Sequence, residues 1–181
     1  MKIYLTSDTH LGHDRIVELA HRPADHGERL LAHCRQTLAP GHLFIHLGDV
    51  SVGNDDANHR AMLAAAARAD RRVLVRGNHD GRSLTWYLAR GWDWVCDSMA
   101  LDIYGARVLL THAPEPVPDG TVNIHGHLHN GGHHGLAPDD GRHILIALER
   151  DGYKVFALDD LLKRLAAPTV ARLDAEVLVP A

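Results

Sequence analysis

The sequence predicts an α/β fold, and three observations carry that prediction. Short apolar or β-branched runs recur along the chain, amphipathic segments separate the first of them, and five of the runs end on a polar segment bearing Asp, Asn or His. Strand and helix in alternation imply parallel pairing through crossovers. With 181 residues, 45% of them hydrophobic and 23% charged, the chain fits one domain with a sizeable core and is not the composition of a disordered polymer.

Taken in order, Lys2–Thr6 reads as a strand running into Ser7-Asp8-Thr9-His10-Leu11-Gly12-His13. A helical pattern at 14–20 follows, then a second at 28–38 with Leu30, Leu31, Cys34 and Leu38 on one face. The apolar run 43–47 ends at Gly48-Asp49, a helix is expected over 58–69, and the β-branched run 72–76 ends at Gly77-Asn78-His79-Asp80. A helix over 83–90, closed by Gly91, precedes strands at 94–96 and 99–103. Run 107–111 ends at His112-Ala113-Pro114, and run 121–124 at His125-Gly126-His127-Leu128-His129. Segments 143–149 and 153–157 flank Arg150-Asp151-Gly152 and read as a hairpin. Asp159 is expected to cap a last helix over 161–165, stopped by Pro168. The domain is expected to span 1–167, with 168–181 a C-terminal extension that is either a strand at 176–179 or a tail. The Gly-, His- and Pro-rich loop 130–140 is expected over the mouth of the site.

The net charge of −4 and the lack of a dense Lys/Arg run exclude a protein that grips nucleic acid by charge alone. The 16 histidines against 19 Lys plus Arg point instead to metal ligation. His21, His26, His33 and His59 are expected to be surface residues. Cys34 and Cys96 are too few for a disulfide framework or a Cys-rich zinc site and should be buried or inert. The N-terminus enters a strand directly, with no signal-like segment and no apolar stretch of membrane-spanning length, so a cytoplasmic location without membrane contact is expected.

Open α/β sheets place their binding crevice beyond the carboxyl ends of the strands, so ligands at five strand ends can converge. The groups on offer are carboxylates, an amide and imidazoles without thiolate, which suits ions such as Mn²⁺, Fe²⁺, Zn²⁺ or Co²⁺. One tetrahedral ion uses about four ligands, and the larger number here suits a pair. Asp8 and Asp49 alone read equally well as caps or turn formers, and Gly77-Asn78 as a turn.

In order along the chain, Asp8-x-His10, Gly48-Asp49, Gly77-Asn78-His79-Asp80, His112 and Gly126-His127-x-His129 resemble the motif set of calcineurin-like metallophosphoesterases, over about residues 1 to 165. A specified tetrapeptide such as Gly-Asn-His-Asp occurs by chance roughly once per 10⁵ residues. The resemblance implies a four-layer α/β/β/α sandwich of two mixed β-sheets flanked by helices. It also implies hydrolysis of phosphate esters by a hydroxide held between two divalent metal ions, with in-line attack. One ion would take Asp8, His10 and His129 and the other Asn78, His112 and His127, with Asp49 bridging. His79 would be catalytic, near the phosphoryl group and its leaving oxygen, and Asn78 and His79 would meet substrate. His13 is placed near substrate phosphate and His125 behind the ligands, with surface or structural roles as the alternative for both and for His46, His133 and His134.

The protein Ser/Thr phosphatase branch continues its Gly-Asp motif with an Asp and then an Arg; here Gly48-Asp49 is followed by Val50-Ser51-Val52-Gly53. That leaves Asp80 the nearest candidate to orient His79. The closer likeness is to small bacterial and phage-type phosphoesterases beginning Ser-Asp-Thr-His-x-Gly-His. Manganese is the working choice of ion, with Fe, Zn, Ni or Co as alternatives. The expected partner is a phosphate-ester substrate, a small molecule or nucleic acid; with few residues left over for a lid the cleft should be open, so activity on phosphodiesters or on fairly general phosphate esters is expected, and no protein partner is evident. The rivals are a non-catalytic metal-binding interaction module on the same fold and a metal-handling protein using His125 to His134.

Overall fold

A computed structural model of the chain describes residues 1–131 and 140–166. Its first sheet runs in the order β4-β3-β2-β1-β9, formed by Trp94–Cys96, Arg71–Val75, His42–His46, Lys2–Thr6 and Phe156–Ala157. Strands β1 to β4 are parallel, and β9 lies antiparallel to β1. The second sheet has the order β5-β6-β7-β8, from Ser98–Ile103, Ala106–Thr111, Thr121–His125 and His143–Leu145, with only β5 antiparallel. Two mixed sheets flanked by helices result, the architecture expected above.

Both sheets feed one core. Ile3, Leu5, Phe44, Ile45, Val73, Leu74 and Val75 from the first join Val108, Leu110, Ile124 and Ile144 from the second. At about 1.5–3 kcal/mol for each large apolar side chain buried, this core supplies the driving force that tolerates polar groups at its upper rim.

The amphipathic segments fold as helices with shifted ends. Residues 28–38 lie in α2, His26–Thr37, which buries Leu30 and Cys34, with Leu38 also buried just past its end. The expected helix at 58–69 begins one turn earlier, as α3 Asp55–Ala65, because Asn54 caps it by accepting the Ala57 N–H at 3.3 Å. Residues 83–90 give α4, Leu84–Leu88, with Ser83 accepting the Trp86 N–H at 3.2 Å. Residues 14–20 shrink to α1, Ile16–Leu19; His21 at φ 51° ends it and Pro23 follows. The last helix, α6 Leu158–Ala166, starts before Asp159, which sits in its first turn rather than at its cap.

One expectation is overturned. Residues 143–157 do not form a hairpin: β8 is followed by α5, Leu148–Asp151, and β9 joins the other sheet. Gly152, at φ 77°, is the left-handed residue that ends α5, and the same glycine signal serves a helix end as well as a hairpin turn. Ile146, Ala147 and Leu148 are all buried, so the period-2 pattern of a half-buried strand is absent.

The histidines expected on the surface divide. His26 and His59 are buried, the latter because Trp92 Nε1–H donates to its Nδ1 at 3.0 Å, while His21 is exposed and His33 half-buried. Cys34 is buried, which pushes its thiol up to about 12, and Cys96 is half-buried. Among the described residues no helix is long and apolar enough to cross a membrane. His133 and His134, most of the 130–140 loop, and the 168–181 extension lie outside the described residues.

Candidate metal centre

The site forms where the strands end. Asp8 and His10 follow β1, Asp49 follows β2, Asn78 and His79 follow β3, His112 follows β6, and His127 and His129 follow β7. The backbone zips these ends together. The β1–β2 register continues past Thr6 and His46 through Asp8 N–H to Gly48 O, His10 N–H to Asp49 O and Leu11 N–H to Val50 O, each at 3.0 Å. Across the second sheet, Gly126 N–H donates to His112 O at 2.9 Å.

Glycines let the strand ends close up, Gly126 between the two sheets and Gly77 within the first. A Cβ on Gly126 would lie 2.1 Å from Asp8 Oδ2 and 2.0 Å from Ser7 Oγ, and one on Gly77 would lie 2.2 Å from Asp49 Oδ1. Only a residue without a side chain lets these loops approach so closely, which gives the Gly in Gly-His and Gly-Asn its physical reason. The ligand positions themselves are bent. Asp8, His10, Asp49, His127 and His129 have φ of 52°, 45°, 57°, 69° and 49°, five of the eight non-glycine residues with positive φ among those described. Each costs about 1 kcal/mol or more, and such strain concentrates at functional sites.

Two Asp/His groups emerge that could hold an ion, Asp8-His10-His129 and Asp49-His112-His127, and a third, His10-Asp49-His79, links them. Asp49 is the junction. Its Oδ2 lies 3.5 Å from His10 Nε2, 3.4 Å from His112 Nε2 and 4.0 Å from His79 Nε2, while its Oδ1 accepts the His79 N–H at 2.8 Å. Asp8 divides its oxygens likewise: Oδ2 accepts the His127 N–H at 2.9 Å, and Oδ1 faces His10 Nε2 and His129 Nε2, each at 3.9 Å. Asn78 Oδ1 is 2.9 Å and His127 Nδ1 is 3.1 Å from His112 Nε2.

The fit to a cation rests on orphaned atoms. Asp8 Oδ1 and both ring nitrogens of His10 are buried without a hydrogen-bond partner, a cost that a metal–ligand bond removes. Electrostatics agree: burial drives His10 down to about 2, so its ring is neutral and a lone pair is free. Burial alone would lower His112 too, but its bond to Asp49 and the charges of Asp8 and Asp49 lift it to about 9, so positive charge is favoured among these carboxylates. Asp49 resists burial through His112, the His79 N–H and His10, which hold it well below the usual carboxylate range.

Asp80 lies elsewhere than expected. It is buried, and its Oδ2 accepts N–H groups of Asp49 and Gly77 at 2.8 Å each, while Oδ1 accepts that of Val50 at 3.3 Å. Burial and the Asp49 charge raise it to about 6 against the pull of these donors. Its bonds tie the β2 and β3 loops together instead of reaching the His79 ring. His46 plays a related part, accepting the Gly48 N–H at Nδ1 and donating from Nε2 to Thr9 Oγ1, each at 3.1 Å; burial pushes it down to about 3. His125 is fully buried and donates to Gly126 O, behind the ligand loop.

His79 and His13 face open space. With His10, His129, Asn130, Ile16, Leu19 and Ala20 they line a cavity of about 400 Å³ beside the cluster, and their rings stand 6.4 Å apart. His79 is 44% exposed, against 2% for Asp49 beneath it, so it alone of that pair can meet a bulky reactant.

Two participants were not foreseen. Glu149, in α5, brings Oε1 to 3.0 Å from His129 Nδ1, and Arg22, buried after α1, brings its guanidinium Nη2 to 2.7 Å from the same oxygen. Burial would raise Glu149, but the His129 bond and the Arg22 charge bring it down to about 2. The only sequence signals were an acid ending the apolar run at 144–148 and an Arg beside Pro23.

A protein of unknown function from Aquifex aeolicus has a similar solved structure, with TM-score 0.73 and 26% identity, covering 90% of this chain and 98% of that one. An uncharacterized protein of Methanocaldococcus jannaschii is 25% identical over 182 residues, 94% of this chain and 95% of the relative. Residues 1–170 match the sequence model of the calcineurin-like phosphoesterases. That match spans every strand end described here, and the chain belongs to the calcineurin-like phosphoesterase family.

Proposed function

We propose that this phosphoesterase is a binuclear hydrolase, with Asp8, His10 and His129 at one ion, Asn78, His112 and His127 at the other, and Asp49 shared. The observation that carries the reading is the single Asp49 oxygen aimed at both groups. Bound there, two divalent ions, Mn²⁺ first among candidates, would supply Lewis acidity toward a phosphoryl oxygen and toward water.

The chain's own part lies with its side chains. His79 stands at the cavity rim with its backbone fixed by Asp49 and its ring exposed, placed to stabilise phosphoryl charge or to protonate the departing oxygen. His13 lines that cavity beside His79 and would meet substrate there, and Asn78 would meet it from the metal side. Among the described residues no Lys or Arg lines the cavity, whose apolar wall is Ile16, Leu19 and Ala20. The second organic arm of a diester suits such a wall better than the second ionised oxygen of a monoester, which favours phosphodiesters.

The test uses metal-free protein restored separately with Mn²⁺, Ni²⁺, Zn²⁺ or Mg²⁺ and assayed on bis(p-nitrophenyl) phosphate and p-nitrophenyl phosphate. Turnover of the diester by a form holding two ions, lost in Asp49→Asn, is expected. Brisk monoester turnover with an untouched diester would reject the diester preference, and full activity in Asp49→Asn would reject the centre.

A further inference from the structure

We infer that Arg22 and Glu149 act as a buried brace that selects the tautomer of His129, and so sets the affinity for the ion at the Asp8–His10–His129 end. The inference rests on the metal-centre reading above and assigns two positioning residues to it.

The geometry offers Nδ1 two proton arrangements, and the carboxylate charge decides between them. Glu149 Oε1 can only accept; it receives Arg22 Nε–H at 2.8 Å and lies 2.7 Å from Arg22 Nη2 as an ion pair. The same oxygen lies 3.0 Å from His129 Nδ1, and Arg22 Nη2 lies 3.1 Å from that nitrogen. A lone pair on Nδ1 would accept Arg22 Nη2–H but would also face the carboxylate oxygen at 3.0 Å and repel it. A proton on Nδ1 forms a charge-assisted bond to Glu149 instead, while Arg22 keeps its Nε–H bond and its ion pair with the carboxylate. That tautomer leaves a lone pair on Nε2, the nitrogen 3.9 Å from Asp8 Oδ1.

The brace is fixed at both ends. The Arg22 side chain is fully enclosed and that of Glu149 is 6% exposed, so neither is a solvated surface charge. Arg22 Nη1–H also donates to Thr9 O at 3.3 Å, the carbonyl between Asp8 and His10. Glu149 sits on α5, in the crossing between β8 of one sheet and β9 of the other. One ion pair therefore ties the loop bearing Asp8 and His10 to the ring of His129, reached from a third element. A carboxylate behind a ligating histidine raises its basicity and fixes its aim, and losing such a partner costs about 10–100-fold in metal affinity.

The test compares wild type with Glu149→Gln and Arg22→Lys. Calorimetric titration of metal-free protein with Mn²⁺ should show one of two dissociation constants rising about 10–100-fold in Glu149→Gln, with the other within about threefold. Glu149→Asp should recover part of the loss. Constants unchanged at both ions in a folded Glu149→Gln protein, or both weakened equally, would overturn the brace. Should the variants fail to fold, long-range ¹H–¹⁵N correlation spectra of metal-free wild type decide alone: His129 protonated on Nδ1 is expected, and protonation on Nε2 overturns the inference. Wild type that binds fewer than two ions would instead overturn the metal-centre reading.

Discussion

At the His112–His127 end of the cluster the ligands are aimed by main chain: His112 Nδ1–H donates to Leu47 O at 2.8 Å, and the Gly126 N–H to His112 O bond carries the β6–β7 pairing into the loop. At the Asp8–His129 end side chains take part in the aiming, since His129 is backed by Glu149 and Arg22. A backbone brace comes with the sheet and survives any substitution that keeps the strands paired. A side-chain brace can be tuned, and it can be lost by changing one residue. The two ends of one centre should therefore differ in how they respond to mutation and acid.

The largest effect is expected where the ends meet. Asp49→Asn should lower the metal content measured by plasma mass spectrometry from two ions toward one or none, and reduce turnover on the order of 10²–10³-fold or more. Two ions retained in that variant would break the link between the halves. Next comes acid sensitivity of the braced end in metal-free protein. Glu149 titrates at about 2 when folded against 4.5 when free, so its stabilisation is complete above pH 4.5 and lost as pH falls toward 2. Urea unfolding should show about 3 kcal/mol of stability disappearing over that window, with a shallower slope in Glu149→Gln.

Smaller still is the seam. Gly126→Ala forces Asp8 and Ser7 aside and should cost about 1–3 kcal/mol in thermal unfolding, with weaker ion binding at the Asp8 end first. Gly81→Ala, whose added Cβ meets nothing within 4 Å, should change stability by less than about 1 kcal/mol and sharpens the contrast as a control.

Much of this arrangement was legible in the sequence because period and punctuation coincide there. Apolar runs that end in Gly-Asp, Gly-Asn or Gly-His marked both the strand ends and the polar groups on them, and the parallel order of β1 to β3 followed from the helices between. Glu149 was hidden because nothing local distinguishes it: a carboxylate after Ile-Ala-Leu reads as strand exit, and only the crossing between sheets turns it toward His129. Asp80 was misplaced for a related reason, since proximity in sequence to His79 says nothing about direction, and its carboxylate turns back to the backbone N–H groups of Asp49, Val50 and Gly77. His26 and His59 are buried, against the surface expectation, because burial of a histidine depends on residues far along the chain, Tyr153 beside His26 and Trp92 bonded to His59.

The left-handed backbone at Asp8, His10, Asp49, His127 and His129 sets endurance against usefulness. Glycine at such a position relieves its steric penalty. A laboratory selection for heat resistance alone, run in chelated medium, would reward glycine at His10 and His129 and erode the centre while the fold hardened. Supplying the ion during selection reverses that pressure, because binding to the folded form returns more free energy than the bent residues withhold.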